Sequence, residues 1–309
     1  MSDQPYHDGE VFVQERAGER DMARRLAGAV SPRIVPGALP FLARQRLLGI
    51  STAGDDGLLW TSVWAGRPGF VQSADGERVT VAAASMTSSP GDPVRPRLAV
   101  GRDAGLLAVD FATRRRLRIN GTVERVSADA IDLRVRESIP NCPKYIQRRL
   151  PHEAGTAAST GAATTRGHAI DDERRVFLGL ADTAFVGSLH PSRGVDTSHR
   201  GGEPGFIQVV DATTLRVPDY AGNSMFLTLG NFAADPRASL AVLDFDRGEV
   251  VTFTGEARLR FDAEDPAHPT GGTGRYWELA VREWTQFDLG WGLRWDLLEA
   301  SPFNPPSRS

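Results

Sequence analysis

The apolar residues of this chain fall into short runs with a period of two. In RLRINGTVERV, residues 116–126, Leu117, Ile119 and Val123 share one phase; in EVVTFTGEARLRF, residues 249–261, Val251, Phe253, Ala257 and Leu259 do the same. An extended backbone sends alternate side chains to opposite faces, so this spacing predicts strands with one apolar face. Gly121 and Gly255 stand at matching places in the two runs. A glycine in mid-strand predicts a bulge or sharp bend, which curls a sheet toward a small barrel.

Shorter runs of the same kind fill much of the remainder. LGIST, LLWTSVWA, ERVTVAAA and GLLAVDF precede the first run, and AFVGSL, VDTS, GFIQVV, TLRVP and SLAVLDF precede the second. Each series is entered by a short helical stretch, PGALPFLARQRLL in one and DDERRVFLGL in the other. The two series share one plan. GRPGFVQ at 66–72 returns as GEPGFIQ at 202–208, LAVDF at 107–111 as AVLDF at 241–245, and INGTVERV at 119–126 as FTGEARL at 253–259, at offsets of 136, 134 and 134. Three blocks in one order at nearly one offset predict a duplicated domain. In both copies the Pro-Gly pair sets a turn, after which Phe70 and Phe206 are expected to enter the core.

The expected organisation is an N-terminal arm at 1–34, a first barrel at 35–150, a linker at 151–169, a second barrel at 170–262 and a Trp-rich docking segment at 263–309. The linker stretch PHEAGTAASTGAATTRGH has side chains too small and polar to pack a core. In the last segment Trp277, Trp284, Trp291 and Trp295 lie seven, seven and four apart, near one helical face, with Gly290 and Gly292 breaking the helix before the last two. The fold class is therefore mainly β with short helices, two tandem barrels related by internal duplication and packed as a pseudo-dimer.

Composition removes several alternatives. A net charge of -3 supplies no global basic field for nucleic acid or an anionic membrane, so an anion site has to be local. One cysteine, Cys142, cannot close an intrachain disulfide, and a lone Cys is most often a small buried hydrophobe. The polar start MSDQPYHDGE lacks the charged and apolar regions of a leader, and a cytoplasmic location follows as the expectation. With one lysine in the chain there is no GxxxxGK[ST] loop, and GGTG at 271–274 lacks the strand, turn and helix context of a dinucleotide fingerprint. The six histidines lack paired ligand spacing, so no metal centre is expected, and no GxSxG elbow occurs.

The order from the helix through GEPGFIQVVDATTLRVPDYAGNSMFLTLGNFAADPRASLAVLDF to the glycine-containing last strand resembles the pyridoxamine 5'-phosphate oxidase-like split β-barrel flavoproteins. NCPKYIQRR, residues 141–149, resembles a signature of the predicted flavin-nucleotide-binding branch of that superfamily. The resemblance covers roughly residues 35–150 and 170–262. It implies FMN bound where two barrels meet, an interface that a duplicated chain builds internally; a homodimer of whole chains stays open beside it.

Divergence between the copies points to one surviving site. Aligned at the shared GFxQ block, Thr197, Ser198, His199, Arg200 and Gly201 stand where the first copy has Thr61, Ser62, Val63, Trp64 and Ala65. A phosphate needs a fixed cation and several donors, which Arg200, Ser198 and Thr197 supply. The resemblance implies that the next strand and turn, Pro218, Asp219, Tyr220, Asn223 and Ser224, close over the cofactor, with Asn231 one or two helical turns later. The oxidase itself has an Arg-Lys pair where this chain reads AGNSM. Arg294 and Trp295 are further candidates, because the oxidase tail gives its flavin pocket a Trp and an Arg.

Lys144 is the sole lysine against 35 arginines. In a pseudo-dimer NCPKYIQRR can reach the flavin on the second barrel. There Lys144 would stabilise the reduced ring, Tyr145 would stack on it and Gln147 would hydrogen-bond its edge. The expected function is an FMN-dependent oxidoreductase passing electrons from reduced nicotinamide or another donor to a small acceptor. The alternatives are a non-catalytic flavin carrier or sensing module, and a relative holding haem or a deazaflavin.

Overall fold

The structure is a computed structural model that describes residues 5–86, 89–153, 164–222, 224–265, 269–290 and 292–305. Seven strands form the first sheet: β1 (Leu47–Ala53), β2 (Leu59–Ala65), β3 (Val71–Gln72), β4 (Arg78–Ala82), β5 (Asp103–Asp110), β6 (Arg115–Val126) and β7 (Ala130–Asn141). After β8 (Arg148–Glu153) and β9 (Thr165–Gly167) come the seven main strands of the second: β10 (Thr183–His190), β11 (Gly194–Gly201), β12 (Gln208–Val209), β13 (Thr214–Pro218), β14 (Arg237–Asp244), β15 (Glu249–Arg260) and β16 (Tyr276–Asp288). The strand β17 (Leu293–Glu299) pairs with β8 in a separate ribbon. Among the described residues five α-helices accompany them: α1 (Asp8–Arg16), α2 (Arg20–Leu26), α3 (Leu39–Ala43), α4 (Asp172–Leu180) and α5 (Leu227–Ala234).

The spatial order of the first sheet is β2-β1-β5-β6-β7-β4-β3 and that of the second is β11-β10-β14-β15-β16-β13-β12, with β9 added on β16. Replacing each strand of one order by its counterpart in the other gives the same antiparallel path, and each sheet curls as a split barrel around its own core. Trp64, Phe70 and Ile119 lie in the first core, and Phe206, Phe253 and Trp277 in the second. The ladders shift register between Asn120 and Gly121 and again between Thr254 and Gly255. Both mid-strand glycines thus sit at bulges, as their place in the strands predicts. Phe70 and Phe206 follow Gly69 and Gly205, whose φ of 92° and 88° are open to glycine and strained for other residues.

A third apolar cluster joins the barrels: Leu47, Val63 and Leu107 meet Phe185, Ala241 and Val250. Strand β1 is buried along both faces for this reason, and Ser51, Thr61 and Thr197 are buried there too. The approach is close. A Cβ on Gly105 would lie 2.7 Å from backbone atoms of Asp196 and Thr197. Thr61 N–H donates to Ser239 Oγ at 2.8 Å, while Thr252 Oγ1 donates to the Thr61 carbonyl at 2.7 Å.

Two expectations change. Residues 276–288 form β16 at the middle of the second sheet, so that sheet extends beyond residue 262. Trp277 and Trp284 are therefore strand residues packed in the second core, with no helical face between them. Their spacing of seven places them on opposite faces of an ideal strand; Trp284 reaches the same core because β16 opposes β15 across the bulge at Gly255. Trp291 and most of the expected linker lie outside the described residues. The N-terminal arm crosses to the second barrel, where Val13 packs with Phe226 and Leu229 and Gln14 donates to the Met225 carbonyl at 3.0 Å. Cys142 is exposed.

Candidate functional site

At one side of the inter-barrel seam lies a cleft with about 540 Å³ of unfilled space, part of it continuous with solvent. Arg116 and Arg118 of β6 enter it from the first barrel, and His199 and Arg200 of β11 from the second. The segment after β7 supplies Lys144 and Tyr145, and the turn after β13 supplies Asp219 and Tyr220. Tyr145 and Tyr220 face each other with ring centroids 4.9 Å apart. Tyr145 adopts φ of 66°, a left-handed backbone costly for a side chain of this size, and its hydroxyl is held by the Ala221 carbonyl at 2.7 Å.

Positive groups outnumber carboxylates along the cleft lining: Arg116, Arg118, Lys144 and Arg200 stand against Asp219. Arg118 pairs with Asp196 at 3.0 Å, and Asp219 accepts from Arg275 Nε at 3.0 Å. Among the described residues neither Arg116 nor Arg200 has a carboxylate partner. The buried Nε of Arg116, Nε and Nη2 of Arg200 and Nε2 of His199 have no hydrogen-bond partner. Buried donors of this kind cost free energy until an acceptor arrives. Burial and the neighbouring guanidiniums of Arg118 and Arg200 bring Arg116 down to about 9. Burial also lowers Arg200. It drives His199 well below its ordinary value, with Arg116 and Arg200 reinforcing the shift. Tyr145 and Tyr220 are both raised, first by burial.

Six of the residues expected from the sequence meet in this cleft: Lys144, Tyr145, His199, Arg200, Asp219 and Tyr220. The others serve the frame. Thr197 faces the seam, donating to Gly105 O at 2.8 Å with Ser51 Oγ at 2.7 Å, which makes it a tie between barrels. Ser198 lies behind Arg200, taking hydrogen bonds from Thr228 Oγ1 at 2.9 Å and Arg200 Nη1 at 3.4 Å. Pro218 closes the β13 ladder opposite Tyr276. Ser224 donates to Glu19 of the arm at 3.0 Å, and Asn231 bonds to His7 and Ser188 beneath the same arm. Gln147 is saturated: its amide bonds to Gly202 O, Ser301 N and Asn304, clasping the C-terminal segment to the second barrel. Asn223 lies outside the described residues. Trp295 packs on Phe111 and Phe245, and Arg294 sits opposite His152 in the β8–β17 ribbon, away from the cleft.

Arg116 and Arg118 are the residues the sequence reading missed. Their signal was present in the repeat: they occupy the places of Val250 and Thr252 in the second copy. On the opposite side of the seam the matched positions close the space. Val63 and Trp64 replace His199 and Arg200; Trp64 is buried and donates to Asp92. The donor set of the cleft, with unsatisfied N–H groups on Arg116 and Arg200, suits an anion such as a phosphate.

No family model and no curated protein matches the chain. Solved structures are similar to parts of it. A HupZ variant of Group A Streptococcus is 15% identical, covering 38% of this chain and 98% of its own at a TM-score of 0.30. A putative pyridoxamine 5'-phosphate oxidase from Lactobacillus delbrueckii is 13% identical, covering 38% and 98% at 0.29. A FAD-binding protein from Mesorhizobium loti is 9% identical, covering 40% and 97% at 0.29. Among the described residues no helix is long and apolar enough to cross a membrane, and no group of three or more His, Cys, Asp or Glu is placed to hold a metal ion.

Proposed function

We propose that the chain is an FMN-binding oxidoreductase that holds one flavin in the cleft between its two barrels. The observation that carries this reading is the set of buried guanidinium N–H groups left without an acceptor, Nε of Arg116 and Nε and Nη2 of Arg200, one arginine from each barrel. A phosphate dianion would satisfy both and remove their mutual repulsion, and ion-assisted hydrogen bonds of this kind are among the strongest available. Lys144, whose Nζ lies 5.2 Å from the Phe303 ring centroid, adds a compact cation at the same cleft, and Tyr145 and Tyr220, tilted 42° to each other, add aromatic lining. Bound flavin supplies two-electron chemistry of its own, so the protein has only to hold the ring and shield it. Reduced nicotinamide or another donor and a small acceptor complete the cycle in this reading.

The geometry disfavours haem. Arg116 is a permanent donor and points at Nδ1 of His199 at 3.1 Å, so Nδ1 accepts and the ring proton resides on Nε2. A protonated Nε2 cannot ligate iron. The same one-sided pattern suits an origin by internal duplication, in which one of two equivalent sites kept its polar lining. The test is anaerobic and simple: purified protein is titrated with FMN, then given reduced nicotinamide. Tight binding with turnover beyond one equivalent per flavin supports the enzyme; binding without turnover leaves a flavin carrier; no binding refutes both.

A further inference from the structure

A groove with a volume of about 600 Å³ opens between α4, the turn from β14 to β15 and the β8–β17 ribbon. It shares no lining residue with the cationic cleft. Its floor is apolar, because Leu243, Phe245 and Trp295 are buried members of the cluster that joins the barrels. Val176, Leu180 and Leu297 line it as well, each more than half exposed. Pockets of this size and composition hold small organic ligands.

The two copies differ here in charge. In the first, Arg115 opens β6 opposite Asp110, and its guanidinium carbon lies 5.4 Å from the ring centroid of Phe41 in α3. In the second, Glu249 opens β15 opposite Asp244, and Phe177 of α4 is the match of Phe41. The two phenylalanines stand at the same distance along the chain before Leu47 and Thr183, where β1 and β10 begin, and each precedes a fully buried leucine, Leu42 or Leu178. A carboxylate thus replaces the cation that covers Phe41. Phe177 is partly buried and lines the groove, with no guanidinium or ammonium over its ring among the described residues.

The local cations are engaged elsewhere. Arg149 pairs with Asp182 and stacks on Phe245, its guanidinium carbon 4.1 Å from the centroid, and Arg247 lies 3.9 Å from Asp244. Asp296 meets His152, and Glu173 meets Arg174. The Glu249 carboxylate accepts from Gln286 Nε2 at 3.2 Å, and among the described residues neither Glu249 nor Asp246 has an ion-pair partner. Six carboxyl groups therefore stand along the lining against two guanidiniums.

We propose that this groove binds a small organic guanidinium, its head stacked on Phe177 and paired with Glu249, its apolar body on the floor of Phe245 and Trp295. The head takes the place that the Arg115 side chain fills over Phe41 in the first copy. A planar guanidinium suits both contacts, the ring face by cation–π attraction and the carboxylate by paired N–H donors. The site stands whatever occupies the cationic cleft.

The experiment is calorimetric titration of the full chain, without flavin, with phenethylguanidinium and with phenethyl alcohol. Saturable binding of phenethylguanidinium is expected, with the alcohol weaker by at least about tenfold and with hydrocinnamate, the anionic analogue, unable to displace it. Glu249→Gln keeps an acceptor for Gln286 and removes the charge; it should weaken phenethylguanidinium by at least about fivefold while leaving the FMN titration unchanged. Glu249→Arg restores the residue of the first copy and should abolish binding without lowering Tm, so a failure of either variant to fold leaves the other to decide. No saturable binding of phenethylguanidinium, equal binding of the alcohol, or unaltered affinity in a folded variant would overturn the assignment.

Discussion

Arg116 of the first barrel and His199 of the second are joined across the seam, with Arg116 Nη1 3.1 Å from His199 Nδ1 and 3.4 Å from the His199 carbonyl. An arginine that donates to a ring nitrogen requires a neutral ring, and burial pushes His199 the same way. We therefore expect His199 to stay uncharged across pH 5–8, where an ordinary histidine changes state. Nitrogen chemical shifts of the labelled ring check this; a protonation midpoint near the ordinary value would contradict it.

The unsatisfied N–H groups of Arg116 and Arg200 should matter for binding. Arg200→Ala is expected to weaken FMN by more than about tenfold, roughly 1.4 kcal/mol. Arg116→Val restores the residue of the matched position in the second copy. It should weaken FMN similarly with little change in Tm, because the buried charge and its two hydrogen bonds to His199 are removed together. Loss of both stability and binding would mean that Arg116 is structural.

Lys144 tests the electronic part of the account. Lys144→Met should leave Tm unchanged and lower the midpoint potential of bound flavin, since an ammonium beside the reduced ring favours the reduced form. An unaltered potential would place Lys144 too far from the ring to act on it.

The N-terminal arm should respond to pH through Glu10. Its folded value of about 8 lies above the ordinary 4.5. The folded chain keeps the proton over that window while the unfolded chain releases it, so the contribution of Glu10 to stability is complete below pH 4.5 and is lost as pH rises through 8. His7, lowered from 6.5 to about 4 by burial and by His190, acts oppositely, losing its contribution as pH falls through 4. Glu10→Gln should flatten the alkaline limb of Tm against pH and leave the acid limb in place. A slope that persists in the variant would contradict the assignment.

How far the sequence revealed this structure depends on the kind of signal. Strand alternation and the bulge glycines report local backbone geometry, so β6 and β15 were readable from Leu117, Val123, Val251 and Ala257. The Val63/His199 and Trp64/Arg200 contrasts located the polar side of the seam, since polar residues on one side stand where apolar ones stand on the other. What stayed hidden depends on neighbours distant in the chain. Thr197 has the chemistry of a phosphate ligand, yet the close approach permitted by Gly105 spends its hydroxyl on the opposite barrel. Gln147 likewise is consumed by Ser301 and Asn304. Arg116 and Arg118 belonged to a strand read for its apolar phase, and their own phase is the one that faces the cleft.

The seam itself can be tested at Gly105. Gly105→Val places side-chain atoms against the backbone of Asp196 and Thr197, and overpacking of this sort costs about 1–3 kcal/mol. Because the cleft takes a wall from each barrel, FMN affinity should fall together with Tm. A drop in Tm with intact binding would show that the cleft does not need the seam.

The most direct measurement is equilibrium binding of FMN and of riboflavin, which lacks the phosphate, to the same purified chain. One FMN per chain, with riboflavin weaker by more than about tenfold, is the predicted result. Two FMN per chain, or riboflavin held as tightly as FMN, would contradict a single phosphate-holding cleft between Arg116 and Arg200.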